Sequence, residues 1–231
     1  MKFRVYGEGH LAEVLQCELE MLGVCGDAES LDWGCPVAFI AEDITDHEVP
    51  GQFEVPGQFE MLRALFERAS RRHKFVVVVS QVPPGWTRML AGLRDGVYYQ
   101  VDTIIVRRAV ERMLRPEQII VGCFDPSVPL PIEYQVYLAM HGCPVLQMKY
   151  EEAELAKCMI NFALSKQIEV ANAGKIAADK LGADWKVVAG ALHNDARIGP
   201  HAYLRPGSSN KHLQRDVNTI TRVLGGPEKN A

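Results

Sequence analysis

The stretch that most constrains this chain runs from Lys149 to Leu181, KYEEAELAKCMINFALSKQIEVANAGKIAADKL. It contains no proline, and its single glycine, Gly174, lies near the far end. Glu151 and Glu152 stand at its start and Lys175 and Lys180 near its close, the order a helix macrodipole favours, and Gly182 follows as a C-cap. Ile160, Leu164, Ile168, Ala171, Ala178 and Leu181 mark one face at helical spacing; Leu155, Met159, Phe162 and Ala163 mark a second, adjacent face. At about 1.5 Å per residue such a helix spans roughly 45–50 Å. That exceeds an ordinary core helix, so the spacing predicts a spine buried on two sides that joins two lobes or two subunits.

Before the spine, short apolar runs alternate with helical patterns. Strands are expected at Lys2–Gly7, Cys35–Asp43, Lys74–Ser80, Val97–Val101, Gln118–Gly122 and Cys143–Leu146. Helices are expected from the glycine turn to about Leu22 and over Phe59–Ser70, Ile104–Leu114 and Ile132–Met140. Strict alternation predicts a parallel sheet covered on both faces. The first strand runs into Gly7-Glu8-Gly9-His10-Leu11-Ala12, a G-x-G-x-x-A turn opening a helix. There glycines let the backbone approach a pyrophosphate, the helix N-terminus faces its charge, and alanine permits close packing on the sheet. These residues are the candidate cofactor site. The segment Gly23–Gly34 shows no strand, and its Asp27 and Glu29 are poor substitutes for the acid that holds an adenosine ribose, so one or two strands of the ordinary pattern are missing. The tandem VPGQFE-VPGQFE between Val49 and Glu60 reads as a lengthened surface loop. After the spine, a helix at Asp184–Leu192, a polar loop from His193 to Gln214 and a last helix to about Leu224 are expected, with the loop as a ligand loop. The fold class is therefore α/β: a trimmed Rossmann-like parallel-sheet domain over 1–147, then a long central helix and a small all-helical dimerisation domain over 148–231.

Composition narrows the partners. A net charge of −4 and a pI near 6.0 argue against a nucleic-acid binder. The basic cluster Arg68, Arg71, Arg72, His73 and Lys74 reads as the solvated end of a helix. The six cysteines show no CxxC spacing and no ligand pattern with the histidines, so free thiols and no metal site are expected. No apolar run reaches the roughly 18 residues of a membrane span, and no signal peptide is read at the start. A cytoplasmic protein is expected.

Taken in order, these pieces resemble the UDP-glucose/GDP-mannose dehydrogenase family. GEGHLA is similar to its nucleotide fingerprint, SQVPPGWT to its S-T-V-P-P-G-T-T loop, and RPEQIIVG to its N-P-D-R-I-V-I-G segment. AELAKCMINFALSKQIEVAN resembles its A-E-x-x-K-Y-x-x-N-x-F-x-A-x-K-I-x-x-x-N helix, and DARIGPHAYLRPG its D-x-R-I-G-x-x-F-L-x-P-G loop. The resemblance covers nearly the whole chain, and against the family's length it leads to the expectation of a shortened member without the C-terminal nucleotide-binding domain. It implies NAD as cofactor, weakened or lost with the thinned adenosine side, a nucleotide sugar as ligand, and a homodimer built through the 149–181 helix. Members oxidise a sugar C6 alcohol to a carboxylate, passing through a thioester on a cysteine.

Carried over residue by residue, Lys157 and Asn161 match the helix pair that stabilises the oxyanion at C6. Asp216 matches the aspartate that works with a catalytic water. Arg197 matches an arginine reaching the neighbouring subunit's substrate site, and Tyr203, Leu204 and Gly207 match the sugar-nucleotide loop. Counting back from Asp216 places His212 where the family has its cysteine, and no cysteine follows Cys158. Gln81 replaces the loop threonine, and the family's two glutamates fall on Asp102 and Val106. Two readings stay open. One is an NAD-dependent oxidoreductase that stops short of the four-electron oxidation; the other is a non-catalytic dimeric binding or assembly protein derived from the family. A polar stripe at Lys157 and Asn161 that merely satisfies its neighbours fits the second.

Overall fold

The computed structural model describes residues 1–26, 35–44, 57–101 and 108–225. Asp27, Glu29, Asp102, Val106 and all but the last four residues of the VPGQFE duplication lie outside them, as do the sequence expectations attached to these positions. The described chain divides into two compact units, Met1–Lys157 and Cys158–Ala231.

In the first unit, β1 (Phe3–Tyr6), β2 (Val37–Ile40), β3 (Phe75–Val78), β4 (Val97–Gln100), β5 (Ile119–Cys123) and β6 (Val145–Lys149) form one sheet in sequence order. β2 and β3 are apolar on both faces and almost wholly buried, as strands covered by helices on two sides must be. Between the strands lie α1 (His10–Met21), α2 (Gln58–Ser70), α3 (Trp86–Ala91), α4 (Ala109–Leu114) and α5 (Ile132–Ala139). Leu11, Leu15 and Leu19 of α1 meet Phe3, Phe39, Tyr134 and Tyr137 in the main core.

The expected all-parallel sheet is corrected at one pair. β4 and β5 run antiparallel, with Tyr99 opposite Gly122 and Gln100 opposite Val121, while the other pairs are parallel. The six residues of α4 cover only about 9 Å, and that helix packs on α1. The chain re-enters the sheet at the end where it left, and the Val101 N–H donates to the Ile120 carbonyl at 3.0 Å. On the far side of β1 a single parallel bridge, Phe3 to Cys25, is all that pairs there among the described residues. A second correction concerns the basic cluster. His73 is buried, with one ring nitrogen 2.9 Å from the Tyr6 hydroxyl and the other 2.6 Å from the Cys35 carbonyl oxygen.

The spine is one helix, α6 (Tyr150–Leu181), of 32 residues. It ends at Gly182, whose φ of 67° is the left-handed cap the sequence predicts, and the next residue's N–H returns to the Ala178 carbonyl at 2.9 Å. Its first turns belong to the sheet unit: the Tyr150 hydroxyl donates to the Val97 carbonyl at 2.6 Å, and Arg88 pairs with Glu151 at 2.8 Å. The second unit contains the rest of α6, α7 (Trp185–Asn194) and α8 (Lys211–Val223). Asp184 caps α7 by accepting from the Lys186 N–H, and Asn210 caps α8 by accepting from the Leu213 N–H. The last helix thus starts before Gln214, because Asn210 supplies an N-cap that the polar run concealed.

The two apolar faces of the spine differ in outcome. Ile168, Ala171 and Ala178 are buried, but Leu181 is 82% exposed. Leu155 and Met159 of the second face are each 41% exposed, and Ala163 is exposed too. Within the single chain the other buried stripe is polar: Glu154, Lys157, Asn161 and Ser165. Glu154, Asn161 and Ser165 find hydrogen-bond partners within the chain that the apolar second face cannot use.

Candidate functional site

Glu154 holds the strand-end loop Gln81–Thr87 in place. Its carboxylate accepts from the Gly85 N–H at 2.5 Å and the Thr87 N–H at 2.8 Å. These donors open α3 at a turn with no local side-chain cap, so α6 supplies the cap from a distance. Burial pushes this carboxyl up to about 7, against the two N–H donors that favour the ion. The half-buried neighbour Glu151 is held down to about 2 by its hydrogen bonds with Arg88. Gln81, standing where the resemblance expects threonine, is buried in the same loop.

Lys157 follows Glu154 by three residues and is 93% buried, being 7% exposed. No hydrogen bond or ion pair engages its ammonium among the described residues. A buried ammonium without a carboxylate is costly unless an anion or a ligand oxygen reaches it.

In the second unit Asn161 and Asp216 come together. The Asn161 Nδ2 donates to Asp216 Oδ2 at 2.5 Å, and the Arg215 Nε donates to Asp216 Oδ1 at 2.7 Å. All three side chains are buried. Both oxygens of the carboxylate are therefore already engaged. His212 lies one turn earlier in α8 and is exposed.

The 195–210 loop is stitched to α6 by residues that the position-by-position comparison passed over. Gln167 Oε1 accepts from the Tyr203 N–H at 2.5 Å, and Ser165 Oγ lies 3.0 Å from Ser209 Oγ. Asn172 accepts from the Gly207 N–H at 2.9 Å and donates to the Gly207 carbonyl at 2.8 Å. Leu204 is a core residue, packed with Trp185, whose indole N–H donates to the Leu204 carbonyl at 3.2 Å. Tyr203 and Arg197 are exposed, and Arg197 pairs with Asp195, two residues before it, at 2.6 Å. Glu154 and Asn172 were both within reach of sequence reading, since each occupies a letter of the helix motif quoted above.

The glycine turn has the strand–turn–helix setting expected of it. Leu11 and Ala12 are buried against the sheet, and Gly9 takes a φ of 88°. Its donors, however, are occupied. The Glu8 N–H donates to Glu42 Oε2 at 2.9 Å, and Asp43 Oδ2 accepts from the His10 N–H at 2.7 Å and the Leu11 N–H at 3.4 Å. A Cβ on Gly9 would lie 2.7 Å from Asp43 Oδ2, and one on Gly7 would overlap the Ala41 carbonyl. The room that glycine leaves is filled by this chain's own atoms. As arranged, the turn does not fit the pyrophosphate of NAD. No group of three or more histidine, cysteine, aspartate or glutamate side chains suited to a metal occurs among the described residues. No described helix is long and apolar enough to cross a membrane.

Comparison with known proteins places this architecture. An uncharacterized protein of Methanocaldococcus jannaschii is 31% identical over 137 residues, which are 55% of this chain and 15% of that one. A UDP-glucose dehydrogenase from the hyperthermophilic archaeon Pyrobaculum islandicum superposes with a TM-score of 0.73 at 23% identity, over 97% of this chain and 65% of that one. A conserved protein of unknown function, described as structurally similar to 3-hydroxyacid dehydrogenases, gives a TM-score of 0.63 at 17% identity, over 97% of this chain and 90% of that one. The chain thus spans about two thirds of the dehydrogenase and a small part of the archaeal relative. Residues 151–225 match the model of the UDP-glucose/GDP-mannose dehydrogenase family, central domain. They contain most of the spine, the stitched loop and the Asn161–Asp216 pair, and it is these residues that are similar to that family's central domain.

Proposed function

We propose that this chain is a divergent nucleotide-sugar-dehydrogenase-like protein that does not complete the four-electron oxidation of a sugar alcohol to an acid. In this reading it acts as a homodimer that binds a nucleotide sugar. The observation that carries the reading is the closed Asn161–Asp216–Arg215 cluster in a chain with no cysteine after Cys158. The second oxidation needs a nucleophile that traps the aldehyde and leaves as a thiolate. Here neither partner of the cluster is held ready for chemistry. The Asn161 amide donates to Asp216 instead of to an oxyanion, and both Asp216 oxygens accept hydrogen bonds instead of activating water.

Binding is supported by the groups that stay available. In the first unit Lys157 has no anionic partner among the described residues; in the second, taken by itself, Arg197 and Tyr203 face outward and the loop on to Gly207 is braced by Gln167 and Asn172. A second copy is supported by the apolar residues exposed along α6: Leu155, Met159, Val170 and Ile176. One observation favours the alternative of a two-electron alcohol–aldehyde oxidoreductase, namely the buried Lys157 ammonium, which suits a developing alkoxide.

The test is calorimetric titration of the purified protein with UDP-glucose and GDP-mannose, beside mass spectrometry of the same mixtures supplied with NAD. Saturable binding, lost in a folded Lys157→Ala variant, and no sugar acid are expected. Steady formation of a uronic acid refutes the loss of the four-electron reaction; absence of binding to any nucleotide sugar refutes the binding role.

A further inference from the structure

The family implies NAD, yet the turn that should receive it is closed from within, and the chemistry of the closure is specific. We infer that Glu42 and Asp43 act as an internal substitute for a dinucleotide pyrophosphate, and that these two carboxylates exclude NAD(H) from the GEGHLA turn.

Three observations carry the inference. First, the groups filling the turn are anionic oxygens, the same acceptors a phosphate would present. They engage the N–H groups of Glu8, His10 and Leu11, the donors exposed at a strand–turn–helix junction. Gly9, the N-cap residue of α1, has no side-chain cap of its own, so Asp43 supplies the missing acceptor.

Second, the clamp is anchored at the sheet's carboxyl end. The Glu42 N–H donates to Ser80 Oγ at 2.7 Å, and the Ala41 N–H to the Tyr6 carbonyl at 2.9 Å. Glu42 therefore starts from backbone fixed by β1, β2 and the end of β3, and Asp43 follows it directly in the chain. A ligand must break the side-chain contacts, because this backbone is held by the sheet.

Third, the carboxylates that stand on the turn's own donors oppose a phosphate, while the two guanidiniums nearby lie in the adjoining cavity. Glu8, Glu42 and Asp43 put three carboxylates around the turn. The adjoining cavity has Arg4 and Arg68 in its lining, and both guanidiniums lie over the Tyr6 ring, 5.6 and 5.7 Å from its centroid. A pyrophosphate entering here would replace one carboxylate and sit beside the others.

The decisive experiment is an NADH titration followed by tryptophan-to-NADH energy transfer and by amide NMR. It compares the wild-type chain, Glu42→Gln/Asp43→Asn and Asp43→Gly. The paired amides keep the shape and an acceptor for the helix end while removing both charges; glycine clears the space above Gly9. The wild type should show no saturable binding through roughly 5 mM NADH, and at least one variant should bind about tenfold or more tightly. In that variant the Glu8, His10 and Leu11 amides should shift. Saturation by the wild type with shifts at those amides overturns the inference. So do folded variants that stay silent, or variants that bind with those three amides unmoved. None of these outcomes touches the proposed loss of thiol chemistry, which rests on the 195–216 segment.

Discussion

Glu154 gives the sharpest quantitative test of how the sheet unit grips the spine. Its side chain is fully buried, and desolvation raises its carboxyl from 4.5 to about 7. The folded value lies above the unfolded one, so the folded state keeps this proton over a wider pH range. The stability it contributes is complete below about pH 4.5 and is lost as pH rises through about 7. With about 1.36 kcal/mol for each pH unit of displacement, ionisation of this one group should cost roughly 2.5 kcal/mol between pH 5 and pH 8.5. Glu154→Gln retains an oxygen for one of the two N–H donors but cannot ionise. Urea unfolding of both proteins, read from the buried Trp86 at the start of α3, isolates the term as a difference of differences. Groups common to both proteins cancel. The wild type should lose roughly 2.5 kcal/mol more than the variant across that interval. Parallel pH dependences, or a Glu154 carbon resonance titrating near 4.5, would refute the reasoning.

Other expectations follow from contacts elsewhere in the chain. Asp216→Asn weakens a fully buried ion pair with Arg215 and should lower stability by about 3–5 kcal/mol in chemical denaturation. Glu18→Gln disrupts the buried contact between α1 and His141, 2.5 Å long, and should cost about 3 kcal/mol, read as a lower urea midpoint. Gly174→Ala would ordinarily favour a helix by about 1 kcal/mol. Here its Cβ would overlap the Trp185 ring, so a net loss of about 1–3 kcal/mol is expected, with a changed Trp185 emission. If the exposed apolar residues of α6 meet a second copy, Met159→Glu with Val170→Glu should convert a dimer to a monomer in sedimentation velocity, with helix content unchanged.

Much of the architecture was legible in the residues because it rests on local periodicity and backbone chemistry. The spine, its acidic start, its Gly182 cap and the order of strands and helices depend on contacts a few residues apart. Gly174 was visible as the single glycine of the stretch, but its reason, the Trp185 ring lying on it, required the packed second unit. The antiparallel turn between β4 and β5 escaped because alternation does not reveal which end of the sheet a short helix returns to. The exposure of Leu155 and Met159 escaped for a related reason: periodicity identifies an apolar face without saying whether its cover comes from the same chain.

Residue identity and spacing were enough for the class of fold, for the likeness of residues 151–225 to a dehydrogenase central domain and for the lack of any cysteine after Cys158 in this chain. The state of the sites was settled by long-range contacts made on folding. Glu42 meets Glu8 across 34 positions, and Asn161 meets Asp216 across 55. Whether a donor is free for a ligand or occupied by the protein depends on which distant side chain folding brings to it. A hydrogen bond acts over about 3 Å of space, whatever the separation along the chain.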